Sequence, residues 1–274
     1  MTGSWVQAPL IVPLDGRDDS VRAVGLAARV ATRLGSPLTL ISVVDAAEAD
    51  DRSAWLRTIA DRLPDADVTT KAIVSDDPAA AIVAEAGTQA VVCIATAGSV
   101  RFHAGHFGSI AEGVARAIGR PVLMVGPNVD PSPGERSQRV VVPVDGSELS
   151  ERALGPAAEL AEVLGVPLWI VSVVSPSEVA AAARHGAQVA DEAGYVHNLA
   201  RRVGQDHGLD VQYEVLHSDH PDRAIVDFVG HDATAVMTTH GRTGLRRIFA
   251  GSVAAGVVAH SQRAVAVLRP EEAE

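Results

Sequence analysis

Val236-Met237-Thr238-Thr239-His240-Gly241-Arg242-Thr243-Gly244-Leu245-Arg246-Arg247-Ile248-Phe249-Ala250-Gly251-Ser252-Val253 is the stretch from which the fold of this chain can be read. Its apolar start has the composition of a buried strand. It then becomes a loop that carries Gly241, Gly244 and three arginines, and it closes on Gly251-Ser252. Val253 to His260 reads as a short helix with Ser252 near its N-cap. Backbone N–H groups of a glycine loop that runs into a helix N-terminus make an anion site. Glycine at the tight points lets the backbone approach a phosphate with no Cβ in between. The plainer reading is an ordinary strand–helix connection.

The pattern occurs twice. Ala95-Thr96-Ala97-Gly98, nine residues, then Gly108-Ser109 matches Thr238-Thr239-His240-Gly241, nine residues, then Gly251-Ser252. Working outward, the rest of the chain repeats too. Val12-Pro13-Leu14-Asp15-Gly16 returns as Val142-Pro143-Val144-Asp145-Gly146, and Leu34-Gly35-Ser36-Pro37-Leu38 as Leu164-Gly165-Val166-Pro167-Leu168. Ile41-Ser42-Val43-Val44 returns as Val171-Ser172-Val173-Val174. The offset is 130 (Asp15 to Asp145) and becomes 143 (Gly108 to Gly251), because the second copy carries a longer segment from Pro176 to Gly208. Pro156 falls inside the first helix of the second copy, and the register of the repeat predicts a kink there rather than an end.

Within each copy, strand and helix signals alternate. Leu10 to Gly16 is a short buried strand, and Val21, Val24, Ala28, Ala31 and Leu34 follow at helical spacing. Gly35 and Pro37 punctuate the end of that helix. Leu38 to Val44 is a second strand, Asp51 to Leu63 a helix, and Asp67 to Val74 a third strand. Pro78 opens a helix that runs to Ala86. Ala90 to Thr96 is a fourth strand, Ser109 to Ile118 a helix and Pro121 to Val125 a fifth strand. The proline-rich, polar run from Asn128 to Ser137 reads as a linker. The expected organisation is therefore domain one over 1–128, linker 129–138 and domain two over 139–274. The fold class is α/β, with two tandem doubly wound five-stranded parallel sheets and right-handed crossovers.

Composition agrees. Apolar residues make up 47% of 274 residues but aromatics only 3%, so the cores must be built from Val, Ala, Leu and Ile, as in parallel sheets covered on both faces. A formal net charge of −11 argues against a nucleic-acid or anionic-membrane partner. The lone cysteine, Cys93, lies in an apolar run and reads as a core residue, so no intrachain disulfide or cysteine metal site is expected. The N-terminus lacks a secretory signal pattern and no apolar run is long enough to span a bilayer, so the expected location is cytoplasmic.

In a doubly wound sheet, ligands bind beyond the carboxyl ends of the strands where the winding reverses. If the first and fourth strands flank that point, Asp15 meets the Gly98 loop and Asp145 meets the Gly241 loop. An acid that can accept from a base or a ribose, beside a glycine loop that can hold phosphates, reads as a nucleotide pocket.

These residues resemble the universal stress protein family in its tandem, two-domain form, with a flavodoxin/Rossmann-like fold. The carriers are the Val-Pro-Val/Leu-Asp-Gly opening of each half and the paired glycine loops, and the resemblance covers nearly the whole chain except the linker. It implies an ATP site, with a magnesium ion, in which the acid after the first strand contacts adenine. The second strand lines base and ribose, and the glycine loop holds the phosphates. In the second copy these positions are Asp145, Val173, Met237, Thr238, Gly241, Gly251, Ser252 and Val253. In the first they are Asp15, Val43, Ile94, Ala95, Gly98, Gly108, Ser109 and Ile110. Both copies depart from the family pattern at its first glycine, where Thr238 and Ala95 stand; a side chain there could narrow the pocket. The second copy keeps the Gly-Arg-Thr-Gly interior and is expected to bind better than the first, which has Val100, Arg101, Phe102 and His103. The resemblance also implies that the last strands, Val122 to Val125 and Val265 to Leu268, pair as an intramolecular pseudo-dimer, with a further homodimer open.

No lysine follows a glycine as a P-loop requires, and the dinucleotide glycine fingerprint, zinc-protease and serine-hydrolase motifs are absent. His103 with His106, and His217 with His220, lack further ligands and read as structural. No catalytic residue and no metal ligand is assigned. The expected function is an ATP-binding stress-response protein without fast catalysis, acting on a protein partner that the sequence does not name. The alternatives are an interaction protein of the same fold that binds no nucleotide, and a slow ATP hydrolase.

Overall fold

Strands buried on both faces must send successive residues into two different cores. β1 (Leu10–Pro13) does so: Leu10 and Val12 enter one hydrophobic cluster, and Ile11 enters the other. The computed structural model describes residues 5–96, 108–129, 137–184, 191–239 and 251–269. The interiors of both glycine loops and most of the linker lie outside them.

After β1 come α1 (Asp18–Leu34), β2 (Leu38–Val44), α2 (Ala49–Ala60), β3 (Val68–Val74), α3 (Pro78–Ala86), β4 (Val91–Ala95), α4 (Ser109–Ala117) and β5 (Val122–Val125). The second half runs β6 (Arg139–Val144), α5 (Glu148–Glu151), α6 (Leu154–Leu164), β7 (Leu168–Val174), α7 (Pro176–Arg184), α8 (Glu192–His207) and β8 (Val211–His217). It ends with α9 (Pro221–Val229), β9 (Ala233–Thr238), α10 (Ser252–His260) and β10 (Val265–Leu268). α1 lays Ala23, Ala27, Ala28 and Ala31 on the sheet, small residues that let helix and strands approach closely. Gly35, at φ 64°, ends it in the left-handed conformation that glycine adopts without strain.

One expectation needs correction. Pro156 does not kink a continuous helix; α5 and α6 are separate, with Arg152 and Ala153 between them. Proline has no N–H to give the carbonyl of Arg152. The chain tightens there instead, with Arg152 and Ala153 N–H donating to Leu149 and Ser150 oxygens at 3.3 and 3.2 Å.

The strands form one ten-stranded sheet in the order β3-β2-β1-β4-β5-β10-β9-β6-β7-β8. Neighbours within each half are parallel. At the centre β5 and β10 pair antiparallel, with Met124 opposite Val265 and Val122 opposite Val267. This is the expected intramolecular pseudo-dimer, and it removes two strand edges from solvent. Both hydrophobic clusters therefore run through both halves. Away from the sheet, Trp5 Nε1 donates to the Pro156 carbonyl at 3.1 Å, tying the start of the chain to α6.

Cys93 lies fully buried in β4, and burial pushes its thiol up to about 12. The native thiol is expected to resist an alkylating reagent at pH 8–9, roughly its unperturbed range, and to react only on unfolding. Labelling followed by mass spectrometry, with and without denaturant, checks this; rapid native labelling would contradict it. The unfolded thiol ionises above its ordinary value of 9.0 while the folded one keeps its proton, so this group lowers stability as pH rises past that value.

Candidate functional site

β1 lies between β2 and β4 in the sheet, and β6 lies between β7 and β9. From β1 the chain winds outward to β2 and β3, then returns to β4 and winds the other way to β5. β1 and β4 thus flank one reversal of winding and β6 and β9 the other. Each leaves a crevice at the carboxyl ends of its strands. Because β5 and β10 are antiparallel, the two crevices open at opposite edges of the sheet.

In the second half, Met237 and Thr238 end β9 with 5% and 7% exposure. Thr239 N–H donates to Leu268 O at 2.9 Å, and Gly251 N–H donates to Thr239 O. The two ends of the glycine loop are therefore joined to each other and to β10. Ser252 and Val253 are the first residues of α10, with Gly251 as its N-cap and no acid in the first turn. The positive end of that helix is not neutralised by its own side chains. Val173, next to last in β7, packs against the same hydrophobic cluster to which Met237 belongs.

The first half repeats the arrangement with differences. Ile94 and Ala95 end β4, Thr96 N–H donates to Val125 O at 2.9 Å, and Val43 packs on the same face as Ile94. Gly108 sits at φ 105°, a conformation that needs glycine, whereas Gly251 at φ −58° does not. Ser109 and Ile110 open α4, whose first turn already holds Glu112.

The two acids differ more sharply. Asp15 accepts from the backbone N–H of Arg17 at 3.0 Å and from its Nε at 2.7 Å, and forms an ion pair with that guanidinium. Partial burial alone would raise the Asp15 carboxyl, but the hydrogen bonds from Arg17 and Ser20 outweigh it and hold it below the usual range. Asp145 instead accepts from Ser147, from the hydroxyl at 2.6 Å and the N–H at 3.1 Å. That is an Asx-type turn closed by a serine. Behind the turns the charge reverses. Arg52 donates to Ser42 at 3.3 Å and lies where a Cβ on Gly16 would go. In the second half Ser172 donates to Glu192 at 3.2 Å, and among the described residues a Cβ on Gly146 would meet no atom within 4 Å. Nearby, burial pushes the Tyr195 hydroxyl up and the carboxylates of Glu151, Asp145 and Glu192 add to the shift. Tyr195 accordingly stays protonated and donates to Glu151 at 3.1 Å.

The structure thus brings Asp145 and Asp15 to their crevices with the ends of β9 and β4. Gly98 and Gly241, Arg242, Arg246, Arg247, His103 and His106 lie outside the described residues. His217 ends β8 and His220 precedes α9. Among the described residues no three His, Cys, Asp or Glu side chains are grouped to hold a metal ion. Arg17, Ser147, Arg52 and Glu192 escaped the sequence reading. Asp145-Gly146-Ser147 carried a turn signal. Glu192 carried none: it opens α8, the counterpart of α2, and the first copy has Ala49 at the matching place.

A family model described as the universal stress protein family matches residues 8–126 and 136–269. A universal stress protein of Mycobacterium tuberculosis is 33% identical over 150 residues; the match covers 53% of this chain and 52% of the relative, so the chain spans about half of that relative's length. A universal stress protein of Mycobacterium bovis is 25% identical over 287 residues, covering 96% of this chain and 97% of the relative. Among solved structures, a universal stress protein from Archaeoglobus fulgidus superposes with a TM-score of 0.69 at 19% identity, covering 98% of each chain. A functionally unknown protein from Pseudomonas aeruginosa gives 0.66 at 18% identity, covering 97% of this chain and 94% of that one. These structures have the same fold. Among the described residues, no helix is long and apolar enough to cross a membrane.

Proposed function

The chain belongs to the universal stress protein family, and from that premise we propose that it is an ATP-binding regulator of a stress response, acting in the cytoplasm without fast catalysis. Nucleotide occupancy then sets its choice of protein partner. The observation that carries this is the second crevice. Asp145 stands after β6, the buried Met237-Thr238 end of β9 lies beside it, and the loop from Thr239 returns to an α10 N-terminus with no acid in its first turn. In this reading Asp145 accepts from the adenine amino group and Val173 lines the base. The Gly241 loop, Gly251 and Ser252 take the phosphates, whose charge a magnesium ion shares.

The second half is the stronger binder in this proposal. Its glycine loop keeps the Gly-Arg-Thr-Gly interior, while in the first half Asp15 is already paired with Arg17 and its turn is covered by Arg52. Protein purified without added nucleotide, then denatured and analysed by chromatography and mass spectrometry, is expected to release ATP at about one equivalent; with the first pocket also filled the figure is about two. No released nucleotide and no uptake of ATP with magnesium would overturn the proposal. That outcome would favour the interaction protein of the same fold, a reading supported by the side chains of Thr238 and Ala95 at a glycine position of the family.

A further inference from the structure

We infer that the end of β5, in the first half, positions the phosphate-binding helix of the second half through Gly126 and Asn128. The inference rests on the nucleotide reading of the second crevice. α10 begins at that crevice and ends against the other half of the molecule. The last carbonyls of a helix have no partner within it. Of those at the end of α10, Val257 O accepts from Ser261 N–H at 2.8 Å, and Ala259 O accepts from the Asn128 side-chain amide at 3.0 Å. Beside them Gly126 is buried, and a Cβ there would run into the backbone carbonyl of Val258. Gly126 is not among the glycines with positive φ, so close approach is the constraint that alanine would violate.

The support belongs to the join between the halves. Val125, just before Gly126, ends β5 and accepts from Thr96 N–H, and Met124 faces Val265 of β10. β5 is held on both sides and cannot easily yield; α10 must move instead. From Ala259 back to Ser252 there are only two turns, about 10 Å of stiff helix. A displacement at one end is therefore felt at the other. The repeat does not return the favour in kind, because Arg269 occupies the position in the second half that Gly126 occupies in the first.

The role predicts a split that a merely structural role would not produce. Gly126→Ala and Asn128→Ala should weaken ATP binding, which uses the helix N-terminus, and leave adenosine binding, which does not. Titration calorimetry of the full chain with each ligand is the experiment. For Gly126→Ala an ATP Kd raised about fivefold or more is expected, with the adenosine Kd within about twofold of the unaltered protein. Asn128→Ala should act in the same direction to a smaller extent. ATP affinity unchanged in both variants, or ATP and adenosine weakened equally, would overturn the inference. Hydrogen exchange without ligand gives an independent check: amides of α10 should exchange faster in both variants, and unchanged exchange would overturn the inference too. Failure of the unaltered protein to take up ATP would remove the nucleotide reading instead, and the exchange result would still decide whether Gly126 and Asn128 hold α10.

Discussion

Val267→Asp is expected to cost the chain its ten-stranded sheet. Val267 is fully buried in β10, pairs with Val122 across the antiparallel join and with Met237 of β9 on its other side, and packs in the second hydrophobic cluster. The side chains that make up that cluster are hydrophobic and offer a new carboxylate no hydrogen bond. An uncompensated buried charge costs about 3–5 kcal/mol or more, a large share of the roughly 5–15 kcal/mol that holds a domain folded. The variant should unfold at a much lower urea concentration than the parent, or elute as an expanded or aggregated species. Val267→Ile, which keeps the apolar character, should remain near the parent. A parental urea midpoint for Val267→Asp would contradict the central pairing.

Asp145→Ala is expected to weaken ATP binding by about ten- to a hundredfold, the loss of a hydrogen bond to a charged group at about 1.5–3 kcal/mol. Asp15→Ala should change it much less. Its carboxylate already serves Arg17, and a base would have to displace that contact. Titration of both variants with ATP and magnesium decides. Parental affinity in Asp145→Ala would remove the acid from the site, and equal losses in the two variants would contradict the proposed inequality of the halves.

Several elements could be read directly from the chain. β2 spans Leu38–Val44 and α3 spans Pro78–Ala86, as expected, because apolar runs and Gly/Pro punctuation act over a few residues. The repeat was legible for the same reason, and the pairing of β5 with β10 came from family resemblance rather than from any local signal. Pro156 shows where local reading stops. Proline removes one donor whatever the context, but whether the helix bends or divides depends on how the carbonyl and its turn are accommodated. The chain divided there into α5 and α6.

The sequence by itself determined the alternation of strands and helices, the twofold repeat, the two acids and the anion-type loops, all properties of short segments. Tertiary structure decided that Arg52 covers one turn while Glu192 stands behind the other, and that Gly126 meets the carbonyl of Val258. Those contacts join elements whose separation in space is set by how independently formed strands and helices pack. Periodicity and turn chemistry specify each element, and only the assembled sheet brings their side chains within bonding distance.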